Sequence, residues 1–114
     1  MSNHADLTSE RWSRFTLDQQ ILMIGNEMNR AMKLMSAEDL ERRQACYERA
    51  LQLADLTLGL EHGASLNREL RLWRGVIADL YARRASEPAT HRTAFKLLLQ
   101  LTPAASAQVA YLDP

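Results

Sequence analysis

Few residues in this chain could carry chemistry, and their spacing keeps them apart. The histidines His4, His62 and His91 and the single cysteine, Cys46, are the candidates for metal ligation or nucleophilic catalysis. A structural or catalytic metal needs three or four convergent ligands, and helical di-iron sites draw them from Glu-x-x-His on facing helices. No Glu-x-x-His occurs, and each histidine falls in an expected terminus or turn, where an exposed loop side chain is the ordinary occupant. Cys46 lies within an expected helix, with no histidine at a spacing that would activate it. A small buried residue is the better reading of it. No glycine-rich phosphate loop of either the Walker or the dinucleotide type is present. The expectation is a protein that is not an enzyme and holds no metal or cofactor.

The arginines offer two further patterns. Arg84 and His91, with six residues between them, resemble the Arg-to-His motif of the HEPN helical ribonucleases, which implies RNA cleavage. The spacer here straddles Ser86-Glu87-Pro88, and Ala85 stands where that family has a polar residue, so the match departs from its expected context. Arg68, Arg71 and Arg74 share one broad helix face that could track phosphates. Glu69 and Asp79 dilute that face, no aromatic side chains alternate with it, and the formal net charge is zero. A nucleic-acid-associated protein, in its sharpest form a HEPN-like ribonuclease, is therefore the alternative function and nucleic acid the less favoured partner.

The elements that must position these side chains are all helical. Four Gly and three Pro in 114 residues, with Leu, Ala, Arg and Glu dominant, favour helix almost throughout. Alternating strand patterns and Asn-Gly or Asp-Gly hairpins are absent from the sequence. Residues 6–14 suggest a short helix presenting Trp12, with Phe15 following. Thr16 then reads as an N-cap, with Gln19 completing a capping box. The first long helix runs to about Met35 with a seam of Leu17, Ile21, Ile24, Met28, Ala31 and Met35. Gly25, inside it, suggests close approach of a neighbouring helix.

Ser36 opens the second long helix, whose seam is Leu40, Tyr47, Leu51, Ala54 and Leu58. Leu53, Leu56 and Leu60 make its later half apolar nearly all round. Asp55 sits in that half, and a carboxylate buried there would need Arg30 or Arg74 as partner. Ser65 is expected to cap the third helix, with seam Leu66, Leu70, Trp73, Ile77 and Leu80. Pro88 falls in the first turn of a fourth, which runs to about Leu101. Thr102-Pro103 repeats the cap-then-proline signature before a short last helix. The fold class is all-α: a single domain, residues 1–114, formed by an antiparallel bundle of four main helices with short N- and C-terminal helices.

Residues 1–64 carry seven Lys/Arg against ten Asp/Glu, and residues 65–114 carry seven against four. Complementary helix faces within one domain account for that asymmetry. Residues 1–9 are polar and lack the apolar core of a secretory signal, and residues 21–24 are too few to span a bilayer. A cytoplasmic location without membrane contact is the expectation.

The most informative feature is the surplus of apolar surface on the first long helix. Leu22, Met23, Met32 and Leu34 extend it beyond the seam and are the candidate partner-binding residues. Four methionines there, Met23, Met28, Met32 and Met35, suit an adaptable groove. Residues 1–15, through Trp12 and Phe15, could fold over Leu22 and Met23 as a lid. The order of elements resembles the flagellin-export chaperones. The matching stretches are Gln20-Ile21-Leu22-Met23, residues 50–58 followed by Glu61-His62-Gly63, and a third helix from Leu66 containing Leu80-Tyr81. That resemblance implies a small antiparallel bundle that binds a secreted partner's helices. The family's proline before the first long helix is missing, and Arg71-Leu72-Trp73-Arg74 replaces its aromatic-rich stretch. A bacterial all-helical family without assigned activity fits the same outline. The expected function is a non-enzymatic adaptor or chaperone-like interaction protein, burying apolar helix surface against a protein partner or a second copy of itself.

Overall fold

A computed structural model describes residues 7–112. Among them every regular element is helical: α1 (Ser9–Trp12), α2 (Leu17–Met32), α3 (Leu40–Gly59), α4 (Ala64–Arg83), α5 (Pro88–Leu99) and α6 (Pro103–Ser106), with 3-10 turns at Ala37–Asp39 and Val109–Tyr111. The all-α class read from composition is the class observed. His4 and the first residues of the expected N-terminal helix lie outside the described residues.

The helix ends follow from local chemistry. Thr16 accepts from Gln19 N–H at 3.1 Å, and the Gln19 side chain accepts from Thr16 N–H at 2.8 Å, so two otherwise unpaired amides are satisfied reciprocally. Thr102 caps α6 by accepting from Ala105 N–H. Pro88 and Pro103 occupy first turns, where a missing N–H costs nothing. Three boundaries differ from expectation. Ser36 makes no capping hydrogen bond, and α3 begins at Leu40 after the 3-10 turn Ala37–Asp39. α2 ends at Met32, because residues beyond it turn into the connection that feeds Ala37–Asp39. α4 begins at Ala64, with Gly63 as its N-cap at φ 121°, so Ser65 lies inside the first turn and does not cap it. That backbone conformation is one a glycine adopts without steric penalty.

α2 packs on α3, α3 on α4, α4 on α5, and α5 returns to α2, closing a ring of four around one core. Ile21, Ile24, Met28, Ala50, Leu53, Leu70, Ile77 and Leu98 fill its centre. Gly25 is buried against α5, but a Cβ there would stand 3.4 Å from Leu99 and 3.5 Å from Phe95, ordinary packing distances, so the approach expected there does not demand a glycine. The seams of α2 and α4 are close to those expected. The seam of α3 is turned. Arg43, Gln44, Cys46, Tyr47, Ala50, Leu53, Ala54 and Thr57 are buried there, whereas Leu51, Leu56 and Leu58 are only half-buried. Three polar side chains hold positions a purely apolar reading passes over, each because it finds hydrogen-bond partners inside.

α1 is a latch. Trp12 is fully buried, and its indole Nε1–H donates to Thr57 Oγ1 on α3 at 2.8 Å, while the Thr57 hydroxyl donates to Leu53 O at 3.0 Å. The Gln20 side-chain amide donates to Trp12 O and Phe15 O, tying the latch to α2 as well. The expected lid over Leu22 and Met23 is therefore a plug that hydrogen-bonds α3 and α2.

Opposite charges in the two halves of the chain meet between α3 and α4. Arg74 donates to Asp55 from Nε at 2.5 Å and Nη2 at 3.0 Å, and Arg84 donates to Glu41 at 2.9 Å. The Asp55–Arg74 pairing is as expected but its setting is not. The Asp55 side chain is 54% exposed, since it lies on the rim of the α3–α4 seam and not within it.

Candidate functional site

The buried histidine is the first surprise. His91 was expected in an exposed turn. It lies in the first turns of α5, fully buried, with Nδ1 2.8 Å from Tyr47 Oη on α3 and Nε2 2.8 Å from Met28 O on α2. A carbonyl only accepts, so Nε2 carries the proton, and Nδ1 then accepts from the Tyr47 hydroxyl. Burial lowers the His91 pKa below its ordinary value, and the nearby Arg43 charge adds to this against the opposing pull of the Met28 carbonyl. Burial also pushes Tyr47 up to about 12. Both groups are neutral at physiological pH, and both ring nitrogens are engaged within the protein. Arg84, the other half of the ribonuclease-like motif, is exposed in its pair with Glu41. The fold thus separates the two residues, one in the core and one at the surface.

Arg43 is a buried cation that no periodicity suggested. Its Nη1 donates to Leu34 O at 2.8 Å, just past the end of α2, where helix carbonyls leave partial negative charge. Cys46 is buried, as expected. Burial raises its thiol pKa, outweighing the pull of neighbouring Arg49. His62 is exposed, with Nε2 3.1 Å from Gln20 Oε1. No cluster of three or more His, Cys, Asp or Glu with metal-binding geometry occurs among the described residues.

The four expected partner-binding residues do not form one patch. Leu22 and Met32 line a groove whose other wall is Phe95 and Leu99 of α5 with Tyr111 and Leu112 of the C-terminal turn. Leu34 lines a different groove, between α2 and α3. All four are half-buried and pack against the core. The C-terminal turn provides part of this cover, held by Arg92 donating to Leu112 O at 2.8 Å. Much of the surplus apolar surface of α2 is covered from within.

Tyr111, on the wall of the groove lined by Leu22 and Met32, and Phe15, after α1, are exposed. A second group of open apolar side chains lies on α4 and α5. Leu72 is 65% exposed, Leu97 52% and Val76 39%. Val76 and Leu97 flank a shallow groove whose floor and walls include Ala89, Thr93 and Ala94. Leu72 and Val76 are one helical turn apart, beside the buried seam of Leu70, Trp73 and Ile77. That offset was the available signal, and Leu97 was hidden within the run Leu97-Leu98-Leu99. Of the expected basic face, Arg68 and Arg71 are exposed beside Leu72, whereas Arg74 is bound to Asp55. No helix among the described residues is long and apolar enough to cross a membrane. Comparison of the chain with protein-family models, curated proteins and solved structures gives no match.

Proposed function

We propose that this protein is a non-enzymatic interaction module that docks an apolar helix, from a protein partner or a second copy of itself, along the α4–α5 face. The observation that carries this is the group of Leu72, Val76 and Leu97, large apolar side chains left in water on the α4–α5 side of a packed ring. Contiguous exposed apolar surface rimmed by polar residues marks an interaction site, and the shallow groove beside Val76 and Leu97 supports reading the contact as helix-in-groove docking. Arg68 and Arg71, exposed near Leu72 on α4, would orient an acidic flank of the incoming segment. The resemblance to flagellin-export chaperones points the same way, to a bundle that recruits a partner's helix.

The test uses the full chain and its Leu72→Asp/Leu97→Asp variant, whose substituted side chains are already exposed and leave the core intact. Sedimentation velocity across a concentration series reads self-association. Recovery of the same specific protein through tagged wild type, and not through the variant, reads a partner. A monomeric wild type whose bound proteins are unchanged in the variant would overturn the proposal.

A further inference from the structure

We propose that the groove between α2 and α3 binds a phosphate-type dianion. It lies on the edge of the ring opposite α4 and α5, so it goes beyond the docking surface and does not depend on it. Arg30, Lys33, Arg42 and Arg49 line a groove of about 380 Å3 over a floor of Leu34, Ala45 and Cys46. Two carboxylates bond to these cations: Glu27 takes Arg30 at 3.0 Å and Arg49 at 3.0 Å, and Asp39 takes Arg42 at 3.5 Å. Four cations against two carboxylates leave two positive charges gathered here, on a chain whose formal net charge is zero. A dianion balances that excess.

Arg49 is also held in place, whereas Arg30 and Arg42 are exposed. The Glu27 side chain is 6% exposed and bonds one oxygen to each of Arg30 and Arg49, and Arg49 Nη2 reaches Cys46 Sγ at 3.5 Å. Arg49 is 16% exposed, so its position is fixed by packing on α3 as well as by the carboxylate. A guanidinium oriented in advance loses less entropy on meeting an anion. The Nε and Nη2 of Arg49 are taken by Glu27 and Cys46, which leaves its Nη1 and the exposed Arg30, Lys33 and Arg42 to supply donors. The apolar floor adds room for an organic group attached to the phosphate. The common chemistry is a phosphate dianion, either free or as the terminus of a nucleoside monophosphate.

Amide chemical-shift titration of the full chain with sodium phosphate, and separately with adenosine monophosphate, tests this at ionic strength held constant with sodium chloride. The expected result is saturable shifts centred on Lys33, Leu34 and residues 42–49. In the Lys33→Ala/Arg42→Ala variant, which removes two exposed cations, binding weakens by about tenfold or more. An unchanged unliganded melting temperature in that variant confirms that its fold is intact. Tighter binding of adenosine monophosphate assigns the floor to the organic group, and equal affinity assigns the groove to phosphate alone. Linear, unsaturable shifts with both probes, or the same binding curve in the variant, would overturn the proposal.

Discussion

His91 shows what one side chain does when three helices converge on it. Its ring joins Tyr47 of α3 to the backbone of α2, and the neutral form is favoured because an imidazolium there would be a charge stripped of water, even though the Tyr47 hydroxyl could turn to accept from it. Its folded pKa is lowered, so in the window below about 6.5 the unfolded chain binds more protons than the native one. The contribution of His91 to stability is then complete above the unfolded value. It is lost as pH falls from there toward the lowered folded value, with a slope of at most about 1.4 kcal/mol per pH unit. Urea denaturation at pH 7.5 and 5.5 should show wild type losing stability between the two. His91→Gln, which can still donate and accept but does not charge, should lose distinctly less. Equal losses would mean that another group drives the acid sensitivity. Tyr47→Phe should cost about 1–3 kcal/mol by leaving Nδ1 buried without a donor.

At the scale of elements, helix number, order and most ends were legible because they rest on local signals: a capping box at Thr16, prolines at 88 and 103, and apolar recurrence in α2 and α4. The orientation of α3 was not legible, since its seam includes Arg43, Gln44 and Thr57, whose burial depends on partners far along the chain. The same limit misplaced the ion pair that ties helices together. Asp55 met Arg74 at the rim, while the buried carboxylate bridging α2 and α3 is Glu27, bonded to Arg49 at 3.0 Å. Within a sequence Glu27 shows only its neighbour Arg30, one turn away. Of the open apolar face, Leu72 and Val76 could have been read from their offset to the seam, but their exposure depends on how the neighbouring helices pack. The two pairs should behave differently on substitution. Asp55→Asn should change stability by less than about 1 kcal/mol, as an exposed pair does. Glu27→Ala should cost about 3–5 kcal/mol by leaving the Arg49 charge half-buried without its partner. Thermal and urea unfolding of both variants reads the contrast, and similar losses would refute the assigned division between rim and core.

At the scale of the molecule, the ring of four helices is plugged by a segment that belongs to none of them. α1 is a single turn, too short to be stable alone, yet it delivers Trp12 into a fully buried site against Thr57. The latch is held by what it covers, not by its own helicity. Removing a buried tryptophan side chain takes away a large apolar area and leaves a cavity, a loss of about 3–5 kcal/mol. Against a typical total of about 5–15 kcal/mol, that is enough to populate open forms in which α2 and α3 show the surface Trp12 plugs. Trp12→Ala should therefore lower the urea midpoint sharply, followed by fluorescence of Trp73, whose own indole stays bonded to Ala94 O at 2.9 Å. Thr57→Val, which removes only the hydroxyl that accepts the indole proton, should cost about 1–3 kcal/mol. Deleting residues 1–14 should go further and promote self-association through the uncovered α2–α3 surface, measurable by light scattering. A truncated chain as stable, soluble and monomeric or dimeric as the full one would show that the N-terminal segment is an ornament on the bundle and that the surplus apolar surface of α2 is covered by the rest of the fold.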